Sequence, residues 1–406
     1  MELTKAFEFL RKNKSVILLP IICFMHFLAS FYYDFWIVAT VFSVFLLLIS
    51  DFSHMLYYMI FFQMFSVSGK FSLINTYAFA ILVAIKYTYG LIKKTENIYP
   101  FPFFMTLFIC IFYSLFAYSI DAMGIYQGSS LIVAFIMIYL IFTYRHKFTL
   151  QKCADFLISG ILSSALVALM VMLFQNSSTP IFDNLSESMR RLRLMTSNEN
   201  SLAIYCSLTL SYYVHAMINK QGNLAKNIIF SLVCISIGLS TLSKCFFVVC
   251  VFIAFYLLFM LISKYKLHSF VFVIPIIIVL ALMALAFKST ITTIISRFFS
   301  SFGSDSFFNE LTTGRAQIWT QYINAIRSSI PTMLFGFGFF NERLVRIGPH
   351  NLFIHLLYRM GFVGLLLIGI LIYAYIQSSS KTKKLTLKNC LPLLVFLMIS
   401  LVEGFL

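Results

Sequence analysis

The chain has 406 residues, 61% of them hydrophobic and 11% charged, with a mean hydropathy of +0.93 and a formal net charge of +16. This composition excludes a soluble globular domain, because apolar runs of about 17–25 residues recur, each able to cross a ~30 Å hydrocarbon core. The positive charge is read as basic residues crowding one side of a membrane and not as a nucleic-acid surface.

A backbone in hydrocarbon must satisfy its hydrogen bonds within each segment, so the runs predict α-helices; the period-2 alternation of a membrane β-barrel is absent. Met1 to Lys14 carries Lys5, Arg11, Lys12 and Lys14 ahead of the first run. No small-residue cleavage site follows, which predicts an uncleaved first helix. Spans are expected near 15–33, 36–50, 54–68, 72–92, 101–118, 128–144, 154–174, 198–218, 226–242, 244–262, 269–288, 350–376 and 389–405. The fold class is therefore an all-α polytopic bundle of about 12–13 transmembrane helices. Eight scattered cysteines, without metal-ligand spacing, read as small buried hydrophobes.

With the N-terminus inside, the inward connections collect Lys93, Lys94, Arg145, Lys147, Lys152, Lys220, Lys226, Lys264, Lys266, Lys381, Lys383, Lys384 and Lys388. Two outward loops contain arginine and no lysine. Residues 175–197 hold Arg190, Arg191 and Arg193; residues 289–348 hold Arg297, Arg315, Arg327, Arg343 and Arg346. A planar guanidinium grips phosphate in a bidentate way, which points to an anionic ligand at the outer face. The alternative is pairing with Asp183, Glu187, Asp305, Glu310 and Glu342, or with lipid headgroups.

Chemistry is expected in three stretches. "MRRLRLMTSNENSLAIYCSL" (189–208) sets arginines before a helix N-cap at Ser197 or Asn198. In 312–340, Trp319, Ile323, Ile326 and Ile330 recur at helical spacing, with Gln317, Gln321, Asn324 and Arg327 on the other face and Pro331 ending the run. That predicts an amphipathic surface helix with Gly314 and Arg315 at its anion-attracting head, and Gly336 and Gly338 in a tight turn behind it. In "PHNLFIHLLYRMGFVG" (349–364), Asn351, His355 and Arg359 fall on one helical stripe, which puts Arg359 roughly 13 Å inside the apolar layer. An ionisable group at that depth is a functional candidate. His350 at the outer mouth is a candidate general base, or a structural histidine bonded to a backbone carbonyl. Gly361 and Gly364 are expected to allow a close helix contact. No P-loop, GxSxG or HExxH occurs.

Gly314-Arg315 with Trp319, then Gly336 and Gly338, then His350-Asn351 followed by Gly361 and Gly364, resembles the O-antigen polymerase and O-antigen ligase superfamily of bacterial inner-membrane proteins. The stretch beginning at Arg190 is similar to that family's earlier arginine region. The motifs cover residues 185–405; the N-terminal half matches only as a string of helices.

The resemblance implies a GT-C-like membrane fold and a glycosyltransferase that needs neither metal nor cofactor. It acts on an undecaprenyl-diphosphate-linked oligosaccharide at the periplasmic face, with the N-terminus cytoplasmic. By motif, His350 is the base and Arg315 the catalytic anion clamp. Arg190, Arg191 or Arg193, with Arg327, Asn351 and Arg359, is expected to bind diphosphate or glycan. The implied partners are the lipid-linked donor, membrane lipids and a chain-length regulator. Residues 1–174 form the N-terminal helices, 175–288 the central helices with the arginine-rich loop 175–197, 289–348 the large periplasmic loop, and 349–406 the C-terminal helices. Polymerase is the expected activity. Ligase shares the same signature, and a flippase for the same lipid-linked unit would carry its charges along a central cavity.

Overall fold

The computed structural model describes residues 2–32, 34–66, 69–116, 122–175, 182–186, 189–265, 292, 315–341, 348–379 and 390–402. The span expected at 269–288, Gly314, the side chain of Arg190, and Arg297, Arg343 and Arg346 lie outside the described residues. The described residues are predominantly helical, as in a helical membrane protein. Five of the described helices are long and apolar enough to cross a bilayer, at 69–92, 124–143, 150–175, 199–218 and 352–377.

The contacts divide the chain into two units that interleave along the sequence. The first takes Met1–Lys86, His146–Ile295 and Lys388–Val395; the second takes Tyr87–Arg145, Ser296–Leu387 and Phe396–Leu406.

The first unit begins with α1 (Glu2–Ala29), α2 (Phe35–Leu48), α3 (Phe52–Phe62) and α4 (Gly69–Ile92), the last helix running on into the second unit. At 1.5 Å per residue, α2 and α3 reach only about 21 and 16 Å, short of a full crossing. The spans expected at 36–50 and 54–68 are thus half-length helices. The chain breaks between them because Asp51 leaves the helical region and caps α3, its carboxylate accepting from the His54 N–H at 2.9 Å.

Further along come α7 (Leu150–Gln175), α8 (Glu199–Ile218), α9 (Leu224–Ser240) and α10 (Lys244–Tyr265). Helix α8 is the centre of this unit, packed against α7, α9 and α10. Its best apolar stretch is 72% buried, against 33–44% in the other four spanning helices, so it faces protein where they face lipid. Hydroxyls that would be orphaned there bond to their own helix: Ser207 donates to the Ala203 carbonyl and Thr209 to the Tyr205 carbonyl, at 2.8 and 2.7 Å. Between α7 and α8, an antiparallel ribbon of β1 (Phe182–Ser186) and β2 (Met189–Leu192) pairs Asp183 with Arg191 and Asn184 with Arg190. The all-helix expectation missed it.

The second unit holds α5 (Pro100–Leu115), α6 (Ala122–Thr143), α11 (Arg315–Ile326), α12 (Ile330–Phe335) and α13 (Leu352–Ser379); α14 (Leu391–Val402) enters it at Phe396. Pro331 does not end the amphipathic helix as expected. The helix stops at Ile326, and Ser329 caps a new one in which Pro331 sits in the first turn, where its missing N–H is not needed. Tyr322 and Ile326 form the buried side of α11, and Ile330, expected on the same stripe, belongs to α12 and is 69% exposed. The exposed face does carry Gln317, Gln321, Asn324 and Arg327.

Candidate functional site: an interlocked turn below His350

Helix α13 is not continuous. Gly361 takes φ +62° and ψ −169°, a conformation open only to glycine, and divides the helix. The break frees the carbonyls of Tyr358 and Arg359 from their helical partners. The returning chain takes both: the Phe337 N–H donates to the Tyr358 carbonyl and the Gly338 N–H to the Arg359 carbonyl, each at 2.9 Å. Gly361 was expected to allow close helix contact; its contact is instead with this turn.

The fit is backbone against backbone. A Cβ on Gly336 would lie 2.5 Å from the carbonyl carbon of Arg359, and one on Gly361 would lie 2.4 Å from that of Leu334. Gly338, at φ +84°, leaves room for the Phe116 carbonyl at the end of α5, and the Phe339 N–H donates to the Tyr113 carbonyl at 2.8 Å. The Gly-x-Gly turn and the Gly-x-x-Gly helix therefore fit together as one joint.

Arg359 fixes this joint from inside. It is 1% exposed. Its guanidinium donates to the carbonyls of Gly338 and Asn341 and to the Gln127 amide oxygen, the last at 2.6 Å. Expected to bind glycan or diphosphate, Arg359 is instead enclosed by protein carbonyls, and its place is in the scaffold.

Tyr358 attaches α11 to the same joint. Its ring meets Tyr322 edge-on at 5.0 Å and stacks on Phe337 at 4.7 Å, while the Asn341 amide donates to its hydroxyl at 3.2 Å. Higher up, the Trp319 indole N–H donates to the Pro349 carbonyl at 2.6 Å. Arg315 lies one helical turn before Trp319, on the same face. His350, the next residue after Pro349, is half-buried and held at φ +47°, a left-handed conformation that a non-glycine residue keeps only where its surroundings impose it. The Trp319–Pro349 bond thus sets the chain at His350 against the helix that carries Arg315.

Asn351 caps α13, accepting from the Ile354 N–H at 3.0 Å, and its amide donates to the Leu401 carbonyl at 2.7 Å. Both ends of the amide serve the fold, so the expected ligand contact is replaced by a capping role. Arg327 is exposed just past the far end of α11, about 18 Å along the axis from Arg315, and does not share its neighbourhood. His355 is buried on the inner face of α13.

In the first unit the arginine-rich stretch holds a separate network. Arg191 is 9% exposed. Its Nε donates to the Thr241 carbonyl at 3.0 Å, one terminal nitrogen pairs with Glu199, and the other donates to the Asn200 side chain at 3.0 Å. The cation sits at the carbonyl end of α9, beside the first turn of α8, whose N-cap is Asn198. Every nitrogen has an internal partner. Arg191 is therefore a strut between ribbon and helices and not the diphosphate ligand that was expected. Arg193, two residues on, is half-buried.

Gln127, Asn341 and Tyr358 were not singled out from the sequence. Gln127 left one signal, an amide inside an otherwise apolar span. No protein-family model, no curated protein and no solved structure matches this chain.

Proposed function

We propose that the chain is a metal-independent glycosyltransferase of the O-antigen polymerase type, joining lipid-linked oligosaccharide repeat units at the periplasmic face of a bacterial inner membrane. The observation that carries this reading is the Trp319–Pro349 hydrogen bond, which holds the helix headed by Arg315 against the turn that presents His350.

In the proposed reaction an acceptor sugar hydroxyl attacks the anomeric carbon of the donor glycan. The bond from that carbon to the diphosphate oxygen breaks, and its electron pair leaves with undecaprenyl diphosphate. The hydroxyl proton passes to the His350 imidazole, a transfer of the kind that contributes about 10²–10⁴-fold. Arg315 faces the charge that accumulates on the diphosphate, and a pre-placed guanidinium stabilises it without reorganisation. The joint at Gly336, Gly338 and Gly361 would keep α11 and the start of α13 in register.

Expressed in a strain deleted for the gene, His350→Ala and Arg315→Ala should insert normally and give no long glycan chains. Arg315→Lys should also be impaired, because an ammonium lacks the bidentate fork. A normal ladder of chain lengths from His350→Ala would remove the base assignment. Deletion itself separates the two activities of the superfamily: core bearing one repeat unit marks a polymerase, whereas bare core with polymer left on the carrier lipid marks a ligase.

A further inference from the structure

Independently of that reading, we infer that the first unit holds one acyl chain of an anionic phospholipid in a cleft between α1, α3 and α7. The cleft has a volume of about 440 Å³. Leu19 and Phe27 of α1, Phe61 of α3, and Val167 and Met170 of α7 form its apolar walls. Phe24 and Leu166, also lining it, are 50% and 60% exposed, so its mouth opens sideways toward the bilayer.

Length and chemistry select the occupant. The lining runs from Ser15 to Phe27 on α1 and from Ser159 to Met170 on α7, about 17 Å on either side and close to half of a ~30 Å hydrocarbon core. That is the depth of one leaflet. The few polar groups are already engaged: the Ser159 hydroxyl donates to the Asp155 carbonyl of its own helix at 2.7 Å, and Ser163 lies beside the Cys23 thiol. Such walls fit an unbranched hydrocarbon and offer nothing to a headgroup.

A headgroup fits at the Ser15 end. There the Lys14 ammonium lies 3.4 Å from the Ile49 carbonyl, and the Lys86 ammonium bonds to the next carbonyl, that of Ser50. Tyr58 reaches the same place, near Ser15 and Ser50. Lys86 interacts with both Lys14 and Asp51, so this end of the cleft gathers two ammonium groups and one carboxylate. Lysines at a membrane surface draw anionic lipid in this way.

The test uses the purified full chain, stripped of lipid in detergent and titrated with phosphatidylglycerol or phosphatidylcholine under native mass spectrometry. Wild type should retain one phosphatidylglycerol in preference to phosphatidylcholine. Lys14→Gln should lower that preference about fivefold, the size expected for one lysine near an anionic headgroup. Ser163→Phe, which fills the cleft, should reduce retention of both lipids. Should that variant fail to fold, Ser159→Leu narrows the same wall more gently and carries the same expectation. Equal retention of the two lipids by wild type, or undiminished phosphatidylglycerol on a folded cleft-filling variant, overturns the inference.

Discussion

Replacing Gly361 by alanine tests the joint at its tightest point. The added Cβ would lie 2.4 Å from both the carbonyl carbon and the carbonyl oxygen of Leu334 and 2.6 Å from the Gly336 nitrogen. All three are backbone atoms and cannot rotate aside, so the turn must withdraw. Withdrawal breaks the bonds from Phe337 and Gly338 to the Tyr358 and Arg359 carbonyls. Backbone strain of about 1–3 kcal/mol and two hydrogen bonds at about 0.5–1.5 kcal/mol each give a loss of about 2–6 kcal/mol. Gly369, on the same helix, is the control. Nothing lies within 4 Å of its Cβ position, and alanine there should stabilise by about 0.5–1 kcal/mol. Thermal unfolding of both variants in one detergent, followed by near-ultraviolet circular dichroism, should separate them by about 5–20 °C, with Gly361→Ala the lower. Equal melting temperatures would mean that Gly361 does not occupy the broken-helix conformation.

The hydrogen bond from Trp319 should matter more to activity than to stability. Trp319→Phe keeps most of the ring and loses a bond of about 1 kcal/mol, but frees the helix headed by Arg315 to shift, so chain extension should fall well beyond that loss. Arg327→Ala, at the far end of the same helix, should leave the glycan ladder unchanged. Arg191→Ala should lower the melting temperature by the equivalent of about 3 kcal/mol, because it strands the part-buried Glu199 carboxylate, and Arg191→Met combined with Glu199→Gln should recover much of the loss. The fourth expectation concerns pH. Burial alone would raise the Asp51 carboxyl, but hydrogen bonds from the His54 N–H, the His54 ring and the Ser53 hydroxyl outweigh it and hold the carboxyl down at about 2. A depressed folded value stabilises above the usual carboxylate range and is lost as pH falls through about 2. Acid titration of wild type should show this loss between about pH 4 and 2, and Asp51→Asn should flatten that window.

What the sequence revealed follows the range of each interaction. Long apolar runs and the Asn198 cap depend on neighbours within one turn, and both were legible. The break at Gly361 was not, because "YRMGFVGLL" suits an unbroken helix until Phe337 and Gly338 arrive to take its carbonyls. The cap at Asp51 was visible in "SDFSH" but hidden by the apolar run around it. Pro331 carries either meaning alone, and Ser329 two residues earlier decides that it opens a helix. The ribbon at 182–192 has too few residues for periodicity to register.

The arginines show how one chemical property serves two ends. Five donors in a rigid plane suit a diphosphate, and they suit a set of converging carbonyls equally well. Arg191 and Arg359 use the plane in the second way, each joining three partners carried on different segments of the fold. Preference for arginine over lysine in these stretches therefore marks places where several acceptors must be held at fixed angles, whatever carries them. Arg191 and Arg359 hold their acceptors within the fold. Arg315, at the head of a helix pinned beside His350 through Trp319 and Pro349, is the residue whose substitution tests the proposed chemistry most directly.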